Sequence, residues 1–298
     1  MAQLLVLTPA PDDPSYASQW PMVLERLKEA LQPAGFQVAA SPWTDYVTSV
    51  EGLESYDLIL PLLVWGYYTD YEAWQAALDL WAAKGLPVAN PAETLKWNSD
   101  KAYLKGLAEA GVPMAETLFV EQVTHNDLAE AFDRLGTDTV IVKPTISAGA
   151  WRTLRLQRCD DLNAALSDAP QGAAMIQAYL PSIETEGETS LLFFGGALSH
   201  VVNKRPGSEG EFRIQSQYGG RYQALPQAPK GALALAEQVL GQFDDDLLYA
   251  RIDMTRTAEG DWVLMEAELV EPDFYLSADP AAGARFAAAV QARINRRS

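Results

Sequence analysis

The chain has 298 residues, of which 48% are hydrophobic and 21% charged, and its formal net charge is −18. The length is too great for one small core and suits two or three lobes, and the composition is that of a globular protein rather than a disordered one. So acidic a chain excludes duplex nucleic acid and anionic membranes as natural partners, so any lysine or arginine that holds an anionic ligand must be a local exception.

Leu4 to Leu7 is too short for the apolar core of a signal peptide and reads as a first strand. No apolar run approaches the roughly 18 residues of a transmembrane helix. The single cysteine, Cys159, has no second cysteine for a disulfide or a zinc site, which suits a reduced cytoplasm.

Residues 1 to 93 read β-α-β-α-β. After the first strand comes a loop, Pro9 to Pro14, then a helix from Ser18 to Leu31 with Trp20, Val23, Leu24, Leu27 and Leu31 at helical spacing. Strands are expected at Phe36–Ala40, Tyr56–Pro61 and Pro87–Ala89, with a second helix around Leu78 to Ala82. Continuous apolar strands alternating with helices predict a parallel sheet covered on both faces. No G-x-G-x-x-G follows the first strand, so a dinucleotide fold is not supported. Trp65 to Tyr71 follows the third strand, where ligands of open α/β sheets sit. It reads either as a substrate wall or as aromatic packing over the sheet.

Asn98-Ser99-Asp100-Lys101 is a capping signal for a helix from Tyr103 to Ala110, stopped by Gly111. A strand at Thr117–Val120 and a helix at Asn126–Leu135 follow. The apolar strand Thr139–Pro144 carries Lys143 behind Val140-Ile141-Val142, so the lysine stem should be buried. Thr145 to Thr153 is a small-residue loop, and Ser147-Ala148-Gly149-Ala150 can bring backbone N–H groups close to phosphate; a simple hairpin turn is the alternative. Ala173 to Pro181 reads as a strand, with Glu184, Glu186 and Glu188 beyond it. Leu191–Phe194, a Gly195-Gly196 turn and His200–Arg205 form the next hairpin, in which His200 is read as a core histidine without a metal partner. A C-terminal helix is expected at Ala282–Arg297.

Tyr249 to Pro272 reads as two strands around the turn Ala258-Glu259-Gly260-Asp261. Residues i and i+2 of a strand share a face, so Glu266 and Glu268 point the same way, and Asp253 can reach that side from the neighbouring strand. Three convergent carboxylates suit Mg²⁺, and Mg²⁺ with few protein ligands implies a phosphate substrate. A solvated acidic hairpin face is the competing reading.

The ordered set of Lys101 at a helix start, Val-Lys143-Pro, a small-residue loop, Gln177-Ala-Tyr179-Leu180-Pro, Gly187-Glu188, Asp253 and Glu266-x-Glu268 resembles the ATP-grasp superfamily of carboxylate–amine ligases. Lys-Pro-Thr-Ile-Ser-Ala-Gly, Gly-Glu-Thr-Ser-Leu and Glu-Leu-Val-Glu-Pro look closest to the branch containing the ligase of D-cycloserine biosynthesis. The resemblance spans about residues 90 to 276. It implies an α/β fold that is α+β in its ATP-binding lobes: an N-terminal parallel domain at 1–93, a central lobe at 94–180 and a C-terminal lobe at 181–298, the two lobes clasping ATP.

By the same resemblance Lys101 and Lys143 neutralise ATP phosphates, with Ser147 and Gly149 in a lid over them. Gln177, Tyr179 and Leu180 lie on the strand whose free backbone edge reads adenine, Met175, Ile176 and Leu180 pack on the base, and Glu188 takes the ribose, with Glu184 and Glu186 as nearby candidates. Asp253, Glu266 and Glu268 carry two Mg²⁺ ions. Lys204 approaches the site, and Arg213 faces the transferred phosphate, an ion pair with Glu209 or Glu211 being its alternative. Relatives usually carry two glycines where this chain has Ala150-Trp151.

The chemistry so implied is attack of a carboxylate on the γ-phosphate of ATP, then displacement of phosphate by an amine, on small amino-acid-derived substrates. A cycloserine-type ring closure is one member of that set. Members of the family are often dimers or tetramers, which carries over as an expectation of a homo-oligomer. A phosphotransferase on the same scaffold and a non-catalytic nucleotide-binding protein are the rival readings, the second suggested by the altered lid.

Overall fold

Three sheets organise the chain in a computed structural model that describes residues 1–13, 19–243 and 246–297. Pro14, in the expected first loop, and Ser18, the expected start of the first helix, lie outside the described residues. The first sheet is parallel, in the order β2-β1-β3, built from β1 (Gln3–Thr8), β2 (Gln37–Pro42) and β3 (Leu58–Leu60). Helix α1 (Trp20–Leu31) and α2 (Tyr71–Ala83) connect and cover it. The expected strand at Pro87–Ala89 is only a single parallel bridge, Val88 to Ile59.

β1 and β3 are buried on both faces, as their unbroken apolar runs require, whereas the edge strand β2 stays partly exposed along its length. Leu5, Leu7 and Ile59 pack under Trp74 and Trp81, while Leu4, Val6 and Leu60 share a core with Phe194, Tyr249 and Phe286 from the far end of the chain. Burying one such side chain contributes about 1.5–3 kcal/mol.

Two short helices, α3 (Ala92–Asn98) and α4 (Tyr103–Glu109), follow. The capping signal is used differently from the sequence expectation. Asn98 and Ser99 sit at the end of α3, and Trp74 donates its indole N–H to Ser99 Oγ at 2.7 Å. A buried polar group must find a partner, and here tertiary partners outcompete the local cap.

The second sheet is antiparallel, in the order β4-β7-β5-β6. It comprises β4 (Thr117–Val120), β5 (Thr139–Pro144), β6 (Leu154–Gln157) and β7 (Ala174–Ala178). Helix α5 (His125–Arg134), opened by a reciprocal Thr124–Asp127 capping box, and α6 (Leu162–Asp168) accompany it.

The third sheet is antiparallel, in the order β10-β9-β8-β11-β12. A short α7 (Ser182–Thr185) leads into β8 (Glu188–Phe194) and β9 (Ala197–Arg205), joined through Gly195-Gly196. Both glycines have positive φ, 57° and 81°, as a two-residue hairpin turn demands. Then come β10 (Arg221–Leu225), α8 (Ala232–Leu240), β11 (Tyr249–Arg256), β12 (Trp262–Glu268) and α9 (Ala282–Arg297), which packs against α1. Among the described residues no helix is long and apolar enough to cross a membrane.

Candidate active site

A cavity of about 650 Å³ lies where the two antiparallel sheets meet the first segment of the chain. One wall is a single face of the five-stranded sheet. Cross-strand register pairs Lys204 with Glu188, Asp253 with Ser190 and Glu266, and Arg251 with Glu268. The period of two therefore gathers charged side chains from four adjacent strands onto one face, with the apolar alternates in the core behind it.

The opposite wall comes from β5. Its burial alternates, placing Val140 and Val142 in the core and Ile141 and Lys143 on the cavity. Among the described residues Lys143 forms neither a hydrogen bond nor an ion pair, and burial lowers its ammonium below the usual lysine value, helped by the Lys101 charge and opposed by Glu266. Lys101 is paired with Glu266 at 2.9 Å and donates to Ser147 O at 2.5 Å. Burial works against that ammonium, but Glu266 outweighs it and raises Lys101.

The acids are interleaved with cations. Lys204 lies 2.5 Å from Glu188 and 3.1 Å from Asp253. Arg251 reaches Asp253 at 2.9 Å, pairs with Glu268, and donates to Asp273 O at 3.3 Å. Burial pushes the Glu188 carboxyl up to about 7 despite Lys204, and lifts Glu268 well above the usual range despite Arg251, with Glu266, Asp253 and Glu271 adding repulsion. Burial also raises Glu271 to about 7. For Glu266, burial is outweighed by Lys101 and Lys143, which hold it low.

Sequence reasoning missed Arg251. Its signal was present: Arg251 and Asp253 are two apart on one strand and so share a face.

The donor chemistry for a divalent cation divides the expected trio. Mg²⁺ is commonly held by one or two carboxylates, water and phosphate oxygens. Glu266 and Glu268 fit: both line the cavity, and among the described residues each engages a cation through one oxygen. Asp253 does not fit, because Ser190, Arg251 and Lys204 take both of its oxygens. Among the described residues no group of three or more His, Cys, Asp or Glu stands ready to hold a metal ion. The expected three-acid cluster is thus not preformed, because Arg251 and Lys204, on the same sheet face, reach Asp253 first.

Other expected residues separate in the same way. Ser147 and Gly149 line the cavity, as do Tyr179 and Leu180. Gln177 also lines it, but not on a free edge: β7 is central, pairing Gln177 with both Thr117 and Ile141. Its side chain donates to Thr117 Oγ1 at 2.8 Å. The register of β7 with β5 runs to Ala178, and the Tyr179 N–H still donates to Thr139 O at 3.0 Å before the chain leaves the sheet. Met175 and Ile176 are fully buried in two separate cores and do not reach the cavity.

Of the three ribose candidates, Glu188 lines the cavity, Glu184 is held by Arg155 at 2.7 Å and by Tyr179, and Glu186 faces Arg256 at 3.4 Å. Arg213 lines the cavity but is clamped by Glu211 at 2.8 and 2.7 Å and lies 3.7 Å from the Tyr218 ring centroid, which is the ion-pair alternative. Lys204 is a buried ion-pair partner, 2% exposed. His200 is a core residue bonded to Phe274 O at 2.8 Å. In the aromatic loop both readings apply, since Trp65 and Tyr67 line the cavity while Tyr67 also stacks on the buried Trp74.

A family model described as "D-cycloserine synthetase DcsG, N-terminal domain" matches residues 5–90. Over 218 residues, 68% of this chain and 72% of the relative, the sequence is 31% identical to the cycloserine biosynthesis protein DcsG of Streptomyces lavendulae. The crystal structure of D-cycloserine synthetase DcsG superposes with a TM-score of 0.80 at 24% identity, covering 99% of this chain and 100% of that one. The D-alanine–D-alanine ligase of Bacillus anthracis complexed with ATP superposes with a TM-score of 0.70 at 16% identity, covering 99% and 98%. At these identities the two structural likenesses speak for the fold.

Proposed function

The chain belongs to the ATP-grasp ligases, in the family of the cycloserine biosynthesis protein DcsG, and from that premise we propose that it joins a carboxylate to an amine at the expense of ATP. The observation that carries the reading is Lys143: a half-buried ammonium on the cavity wall without a protein partner among the described residues, next to Lys101. A desolvated cation is costly unless an anion meets it, and a triphosphate is the anion that the two lysines and the 147–150 backbone suit. The working units we assign are 1–93, 94–180 and 181–298.

In the first step a substrate carboxylate oxygen attacks the γ-phosphorus, the bond to the β,γ-bridging oxygen breaks, and ADP leaves an acyl phosphate. In the second, an amine nitrogen attacks the acyl carbon, the C–O bond breaks, and phosphate departs with the surplus proton. Lys143 and Lys101 hold the phosphates, Glu188 faces the ribose, and Tyr179–Leu180 supplies the adenine edge. Glu266 and Glu268 would hold Mg²⁺, which when bound neutralises charge between the phosphates. A second ion would need Asp253 to give up a cation. Positioning and charge neutralisation are what such a site contributes to phosphoryl transfer.

The DcsG match supports an amino-acid-derived substrate, and within that class a ring closure in which acyl and amine groups lie in one molecule. Trp65, Tyr67, Glu271 and Asp273 form the wall that would choose it. The test is ADP release screened against amino acids and their derivatives, followed by product mass. A product 18 Da below its substrate indicates closure, and a stable phosphorylated product would move the assignment to a phosphotransferase. ATP turnover at the wild-type rate by Lys143→Ala or Glu266→Ala would refute the site.

A further inference from the structure

Two aromatic side chains that the proposed reaction does not use, Trp151 and Tyr68, meet in three dimensions. Trp151, in the loop between β5 and β6, sets its ring 5.5 Å from that of Tyr68, in the aromatic loop of the first segment. The loop folds as two consecutive tight turns, Trp151 N–H to Ala148 O at 3.1 Å and Thr153 N–H to Ala150 O at 3.2 Å. Ala150 and Arg152 flank the tryptophan with φ of 61° and 51°. Left-handed backbone at two non-glycine residues is disfavoured and persists where the surroundings enforce it. The indole is still 43% exposed, so burial alone does not account for its placement.

The contact lies at the mouth of the cavity. Ala148, Gly149 and Ala150 line one side of it, and Tyr67, edge-on to Tyr68 at 6.1 Å, lines another. Gln217 adds a third tie by donating to Gly149 O at 3.2 Å.

We propose that Trp151 is a positioning residue that latches the 147–153 loop onto Tyr68, so that closing the nucleotide side of the cavity also fixes the aromatic wall on the substrate side. This rests on the ATP-site reading for its consequence, whereas the Trp151–Tyr68 contact does not depend on that reading. An aromatic pair of this geometry accounts for a several-fold shift in a closing equilibrium.

The test compares hydrogen exchange at residues 147–153 in wild type, Tyr68→Ala, Tyr68→Phe and Trp151→Ala, without ligand and with Mg²⁺ plus a non-hydrolysable ATP analogue. Tyr68→Ala should speed exchange of the Thr153 amide about fivefold without ligand, and Tyr68→Phe should not. Analogue affinity should fall about fivefold in Tyr68→Ala and Trp151→Ala, with the double variant no worse than either single one. Unchanged ligand-free exchange in Tyr68→Ala overturns the latch. Failure of the wild type to bind the analogue overturns the ATP-site reading instead, and the ligand-free comparison still decides the latch. Trp151→Ala alters only a surface loop, so loss of folding does not obscure the result.

Discussion

Lys204 and Asp253 form an ion pair of 3.1 Å in which each side chain is only 3% exposed. Buried pairs gain little over apolar replacements, but removing one partner leaves the other charged and desolvated. Lys204→Met takes the ion-pair partner from Glu188 and leaves Asp253 to Arg251 and Ser190, and should lower unfolding stability by about 3 kcal/mol. Urea titration measures it. The loss in Lys204→Met combined with Asp253→Asn should be smaller than the sum of the single losses, since the two act as a unit.

Lys143 is the opposite case. It has no protein partner to strand among the described residues, and burial works against its charge. Lys143→Met should leave stability unchanged or raise it slightly, while weakening binding of a Mg²⁺–ATP analogue by about 10- to 150-fold, the worth of one charge-assisted contact of roughly 1.5–3 kcal/mol. Calorimetry on the folded variant reads this directly. Equal losses of folding and binding would argue that the lysine is structural.

Glu271 should leave a mark on the pH dependence of stability. Burial raises its carboxyl from 4.5 to about 7 in the folded state, against Lys101. Such a group takes up a proton on folding. Its contribution is therefore complete below the unfolded value and is lost as pH rises through about 7. Glu271→Gln should consequently gain on the wild type by on the order of 3 kcal/mol between roughly pH 4.5 and 7.5. Denaturant midpoints across that range measure the difference, and a constant offset would contradict the shift.

Asn98 ties α3 to the strand that carries two cavity acids. Its side chain donates to Ala267 O and accepts from Leu269 N–H, both at 2.8 Å, completing the outer edge of β12. Asn98→Ala leaves those buried groups unpaired and should cost about 2–3 kcal/mol. Because Glu266 and Glu268 flank Ala267, turnover should fall by more than the loss of folded protein explains. Activity per folded molecule, corrected by the urea curve, tests this.

Chemistry tied to a single strand was legible in the sequence. The apolar run before Lys143 placed its stem, and the alternation of Glu266 with Glu268 placed both on one face. The order of motifs pointed to the family, and the comparisons bear the family out. Gln177 was harder. Its own stretch says "strand" but not "central strand", because that depends on Thr117 and Ile141, which lie far away along the chain. Asn98 and Ser99 carry a good capping signal, yet β12 and Trp74 offer better partners than the local helix.

By itself the sequence determined which face of each strand would be charged, because side-chain alternation is a local property of one extended segment. Only the tertiary structure decided which charges meet. The order β9-β8-β11-β12 sets Lys204 and Arg251 around Asp253 and leaves Lys143 across the cavity without an ion-pair partner among the described residues. Strand order arises from pairing between distant segments, and ion pairs fall off steeply with separation, so neighbours rather than composition choose the partner.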